Sequence, residues 1–265
     1  MELREWAEQV FAADSVEGKL WTPPGGLKAL TDEKPGKAVM WSAPPRPAHM
    51  QVAPKRERKR IPSPKAMDRK DMRIRCLHAF ANHELMALEL MAWALLAFPD
   101  ADKKFRKGLA NVLIDEQRHF AMYSKHIEDM GAKFGDVPLN DHFWQAACKI
   151  NNPLDWVCTM HLTFEQANLD HAPFYRKVFE GVDDQKSADL MQVIFEDEIR
   201  HVRFGSHWLK KMQPEGKTMF ETYAAHCSAG RSPARARGLE FLPEGRREAG
   251  LDEDFIRQLE AFEEQ

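Results

Sequence analysis

One pattern occurs twice in this 265-residue chain and constrains it more than any other feature. A glutamate on an apolar helical stretch is followed, about one helical hairpin later, by Glu-x-x-His. The first copy is Glu84 with Glu116 and His119 in IDEQRH; the second is Glu165 with Glu198 and His201 in EDEIRH. Residues i and i+3 share a helix face, so each Glu-x-x-His pair can grip one cation. A single pair proves little, because chance supplies about one in a chain with this much Glu and His.

Register carries the argument. Glu84 stands 14 residues before Phe98, roughly 21 Å at about 1.5 Å per residue. Pro99 and Asp100 break the helix, and Glu116 stands 13 residues after Lys103, roughly 20 Å. The two acids therefore lie at the same height of a hairpin. In the second copy Glu165 is 16 residues before Gly181 and Glu198 is 14 residues after Asp184, roughly 24 and 21 Å. Gly181 supplies the stop and Asp183-Asp184 the new N-cap. Glu89 fails the same test. It is nine residues from Phe98, roughly 14 Å, and points about 140° away from Glu84. Its apolar surroundings demand a partner if it is buried. Four carboxylates and two imidazoles from four helices are the ligand set of a dinuclear iron or manganese centre in a helix bundle.

The formal net charge of −3 gives no global pull toward nucleic acid or membrane. No run of 18 apolar residues predicts a membrane span, and MELREWAEQVF lacks a signal-peptide core. The four cysteines, Cys76, Cys148, Cys158 and Cys227, have no metal or redox spacing. Reduced thiols in a cytoplasmic protein are expected.

An amphipathic helix is predicted over 2–13. Residues 14–66 are rich in Pro and Gly (WTPPGG, SAPPRPAH, IPSPK) and read as an extended arm that wraps the bundle or mediates assembly, with disorder as the alternative. Within it KRERKR, residues 55–60, reads as a solvated charge run in preference to a nucleic-acid patch. The long helices are expected at 67–98, 103–131 with Gly131 as the C′ residue, 154–180 and 184–212. A connection over 132–152 carries a short helix near His142–Lys149. A helix over 216–228, a Gly/Pro/Arg-rich link over 230–247 and a terminal helix from Asp252 complete the chain. The predicted fold is all-α, two antiparallel hairpins joined by a long crossover. Residues 1–66 form the arm, 67–212 the four-helix bundle and 213–265 a helical extension.

At these residues the chain resembles the ferritin-like diiron-carboxylate superfamily over roughly 80–205. ELMALELM at Glu84 is similar to the E-x-x-A signature of bacterioferritins and rubrerythrins. IDEQRH and EDEIRH are similar to the D-E-x-R-H of bacterial multicomponent monooxygenases and acyl-carrier desaturases. The whole chain resembles a bacterial domain-of-unknown-function family within that superfamily. The resemblance implies two iron ions, with Mn/Fe or Mn/Mn as variants, on Glu84, Glu116, His119, Glu165, Glu198 and His201. Glu116 and Glu165, or Glu198, are then the bridging carboxylates. One position departs. Bacterioferritin-type helices carry Tyr seven residues after the first Glu, where this chain has Met91, so that tyrosine's hydrogen bond to a carboxylate has no donor here.

Asp115 and Asp197 lie about 40° from His119 and His201 on the helical wheel. Each can take the other ring N–H of a ligand histidine across the bundle, with Arg118 and Arg200 holding the aspartates. His161, one turn before Glu165, reads as a satisfied interior histidine, with an added ligand or a ligand-supporting donor as alternatives. His78, His83 and His171 read as structural. Tyr123 and the set Phe80, Met86, Trp93, Phe120, Phe164 and Phe195 read as core.

The expected activity is that of an oxygen-dependent oxidoreductase, a hydroxylase, oxidase or desaturase. Its partners are a small or carrier-bound substrate, dioxygen and an electron donor, and a homodimer is compatible with the sequence. A ferroxidase or iron-storage protein ranks second, because about 66 residues before the bundle and about 50 after it would crowd a cage. A tRNA-base hydroxylase and a metal-free scaffold are further alternatives.

Overall fold

Both predicted hairpins form where the register places them. The computed structural model describes residues 1–227 and 232–264. Among these, β-structure is confined to two isolated bridges, Glu2–Thr31 and Val52–Leu139, and the chain is all-α. It divides into two units, Met1–Cys148 and Lys149–Gln265, each built around one long hairpin.

The first unit contains α1 (Leu3–Ala12), α2 (Val16–Lys19), α3 (Lys70–Ala97), α4 (Lys103–Asp129) and α5 (Trp144–Ala147). The hairpin α3–α4 is fixed by local chemistry. Asp102 caps α4 through Lys104 N. Gly131 sits at φ 88° just past its end, and Ala132 N returns to Ile127 O at 3.1 Å, closing a Schellman motif. The last carbonyls of α3, which no residue of the helix can satisfy, receive Arg106: its Nη1 donates to Leu95 O and Phe98 O. The remaining guanidinium nitrogens of Arg106 grip Asp32 at 2.8 and 2.9 Å.

Residues 14–66 wrap this hairpin and are interrupted by α2 and by short 3-10 turns, where a mostly extended coil was expected. Val39 N donates to Leu96 O, and Gln117 Nε2 donates to Lys19 O and Trp21 O. The wrap explains why α3 is buried on every side from Glu84 to Leu96. It also answers the demand of Glu89. That fully buried carboxylate takes Arg46 through two hydrogen bonds, 3.0 and 2.7 Å, and Lys19 at 3.3 Å. Arg46 in turn stacks on Trp144 at 4.3 Å. Glu89 is therefore an anchor for the arm. The KRERKR run is mostly exposed, with Arg58 paired to Asp141.

The second unit contains α6 (Pro153–Trp156), a π-helical segment (Val157–Glu165), α7 (Gln166–Glu180), α8 (Gln185–Met212), α9 (Met219–His226), α10 (Pro243–Glu248) and α11 (Glu253–Glu260). Two expectations are corrected here. The third long helix is not α throughout; after the α-helical turn of α6, Val157–Glu165 is wound as a π-helix, with Gln166 N bonded to His161 O, five residues back. The turn into α8 follows the sequence: Gly181 ends α7 and Asp184 caps α8, with Asp183 between them at φ 57°. The link over 230–247 holds a 3-10 turn, Pro233–Ala236, and α10. Residue 228, the last of the helix expected over 216–228, and residues 230 and 231 of the link lie outside the described residues.

A buried ion pair fastens this flank. Asp170 takes Arg246 at 2.6 and 2.9 Å and two backbone N–H groups, Gly238 and Leu242. Among the described residues no helix is long and apolar enough to cross a membrane.

Candidate functional site

In the first unit α3 contributes Glu84 and α4 contributes Glu116 and His119. One ligand atom of each lies within 4.8 Å of the others, and all three residues are buried. His119 Nδ1 is 3.6 Å from Glu84 Oε2 and 3.7 Å from Glu116 Oε2. Ligand atoms about 2.1 Å from a common cation stand about 3–4 Å apart, so the opening matches one ion. Burial first, and the charge of Glu116 second, hold the Glu84 carboxyl well above the usual carboxylate range, with the His119 hydrogen bond acting the other way. A cation would remove both penalties.

The second unit repeats the arrangement. His201 Nδ1 lies 3.5 Å from Glu198 Oε2, on its own helix α8, and 3.9 Å from Glu165 Oε1, at the end of the π-helical segment. Glu165, Glu198 and His201 are all buried. Glu165 Oε1 has no hydrogen-bond partner among the described residues, an uncommon state for a buried carboxylate oxygen and one that metal ligation relieves. Within each unit, the three residues singled out by spacing converge.

Residues 5–257 match the family described as Protein of unknown function (DUF455). The chain belongs to the DUF455 family. All six converging residues fall inside the matched span. This DUF455 chain is also 26% identical, over 140 residues, to an uncharacterized protein of Haemophilus influenzae; the alignment covers 50% of the chain and 49% of that relative. The chain thus spans about half the length of the curated relative it matches. No solved structure matches it.

Supporting residues in this DUF455 chain divide into those legible from spacing and those missed. Arg118 pairs with Asp115 at 3.2 Å and Arg200 pairs with Asp197, as the i, i+3 spacing predicts. His161 does more than fill the interior. Its Nδ1 meets Glu165 Oε2 at 2.5 Å and its Nε2 accepts from Trp156 Nε1 at 3.1 Å. With both ring nitrogens engaged, it holds Glu165 instead of adding a ligand of its own. Trp156 and Asn168 were not singled out by the sequence. Asn168 Nδ2 donates to Glu198 Oε1 at 2.7 Å; the signal was its place three residues after Glu165, one turn along the same face.

Gly205 permits this assembly, because a Cβ there would lie 2.6 Å from His161 Cβ. His78 is structural: its Nε2 accepts from Gly135 N and Val137 N. All four cysteines are free. Burial raises the Cys76 and Cys158 thiols well above their usual range and Cys227 to about 11, so these three are neutral thiols at physiological pH.

Proposed function

We propose that the two triads are halves of one dinuclear centre, two irons or an Mn/Fe or Mn/Mn pair, in a ferritin-like four-helix bundle. Its helices would be α3, α4, the π–α7 helix and α8. The chain is then an oxygen-dependent oxidoreductase, a hydroxylase or oxidase of an organic substrate. The observation that carries this reading is the repetition. In each unit two buried carboxylates stand within 3.9 Å of one buried imidazole nitrogen.

The protein's own groups would act as follows. Neutral His119 and His201 present Nδ1 to the metals. Beside Glu116 and Glu198, Asp115 and Asp197 are held by Arg118 and Arg200. The buried stretch from Glu84 to Leu96 keeps water out and confines the oxidant to its intended target. Held by these six residues, a pair of redox metal ions would supply the two electrons that dioxygen needs to oxidise an organic molecule.

The test is metal content and the optical spectrum of protein purified without added metal, before and after exposure to O2. Two irons per chain, with the absorption and magnetic coupling of a bridged ferric pair, are expected. Less than one metal per chain after iron supplementation, or two uncoupled irons, overturns the reading. Solution scattering separates a ferroxidase cage from a small enzyme using the same experiment's material.

A further inference from the structure

The two halves are built alike but supported differently. Glu165 has His161 four residues before it and Asn168 three residues after it. The equivalent positions around Glu84 are Phe80 and Ala87, neither of which carries a side-chain donor.

In the second half the proton positions follow from the partners. An indole N–H only donates. Trp156 Nε1–H therefore makes His161 Nε2 the acceptor, and the imidazole proton must reside on Nδ1, where it is donated to Glu165 Oε2. Trp156 and His161 are both completely buried, so no water competes for either bond. Asn168 likewise occupies Glu198 Oε1. Each carboxylate keeps one oxygen on a fixed protein donor and turns the other, Glu165 Oε1 and Glu198 Oε2, toward His201 Nδ1. Such carboxylates bind a metal through one oxygen without first giving up rotamer freedom.

We propose that His161 and Asn168 are positioning residues that preform the Glu165–Glu198–His201 half, making it the tighter metal position and the first to fill. Glu84–Glu116–His119 is then the weaker, exchangeable position. This rests on the dinuclear reading above.

The test uses the full-length chain, stripped with a chelator and titrated without oxygen by cobalt(II), followed by calorimetry and visible absorption. Wild type is expected to bind one cobalt per chain tightly and a second more weakly. Asn168→Ala and His161→Phe should each weaken the tight step about 10- to 100-fold and shift its visible bands, leaving the weak step unchanged. Glu84→Ala should delete the weak step alone. General loosening of the fold would move both steps together. Should His161→Phe fail to fold, Asn168→Ala decides, since Asn168 is only partly buried.

Two steps of equal affinity overturn the inference and leave the dinuclear reading standing. So does a tight step indifferent to Asn168→Ala, or one deleted by Glu84→Ala. A wild-type chain that takes up neither cobalt nor iron overturns both.

Discussion

Glu89 and Asp170 occupy equivalent places in the two units, each five residues beyond a predicted ligand, Glu84 and Glu165. Each is fully buried and takes an arginine through two hydrogen bonds, Arg46 from the N-terminal arm and Arg246 from the C-terminal flank. The internal repeat therefore extends past the metal-ligand pattern to the way each hairpin recruits its covering segment. A buried acid is costly unless paired, so the same residue that would destabilise a bare hairpin specifies where the flank must dock.

Breaking these anchors should be expensive. Glu89→Ala leaves Lys19 and Arg46 buried without a counter-charge, and Asp170→Ala does the same to Arg246. We expect each to cost about 3–5 kcal/mol, read as a fall in the urea unfolding midpoint. A loss below about 1 kcal/mol for both would show that these pairs behave like surface ion pairs.

Burial lowers the His78 pKa to about 4 from 6.5, and both backbone donors to Nε2 require that nitrogen to be unprotonated. The folded value lies below the unfolded one. Stability is therefore complete above about pH 6.5, falls as the unfolded chain takes up a proton that folded His78 refuses, and levels off below about pH 4. The loss across that window is about 3 kcal/mol. Comparing the pH dependence of unfolding with that of His78→Gln should show this component vanish; identical slopes would contradict it.

Glu84 and Glu116 trade stability for binding. In the metal-free chain, Glu116→Gln removes the charge that, after burial, does most to raise the Glu84 carboxyl. The raised value means that the folded state is favoured at low pH and loses this advantage as pH climbs past the ordinary carboxylate value of 4.5. We expect the variant to unfold later than wild type at neutral pH, by about 1–2 kcal/mol, yet to gain less thermal stabilisation from added metal than wild type does. Lower stability of metal-free Glu116→Gln would refute the argument.

Gly205→Ala inserts a methyl 2.6 Å from His161 Cβ and 3.1 Å from Leu162 Cδ2. Displacing α8 from the π-helical segment should cost about 1–3 kcal/mol and disturb Glu165 through His161. Thermal unfolding together with metal titration checks both effects; an unchanged melting temperature would mean that the helices part freely at this point.

Helix ends were legible because they are settled within four residues: Asp102, Asp184 and Asp252 each cap the helix that follows, and Gly131 stops α4. The convergence of Glu84, Glu116 and His119, and of Glu165, Glu198 and His201, was legible for the same reason, since equal distances from a turn bring residues of two helices to one level. The π-helical winding of Val157–Glu165 was not, because its unusual hydrogen bonding is stabilised by surroundings that a local pattern does not encode. Thr163 Oγ1, for example, bonds Cys158 O and Tyr223 OH, 60 residues away in sequence.

The sequence by itself determined an all-helical chain, two hairpins and six residues in matched register, since helical periodicity and capping act over a few residues. Only the tertiary structure decided that Glu89 answers to Arg46, 43 residues distant, that the arm lies along the first hairpin, and that His161 serves Glu165. A buried charge states that it needs a partner, and packing alone selects which one arrives.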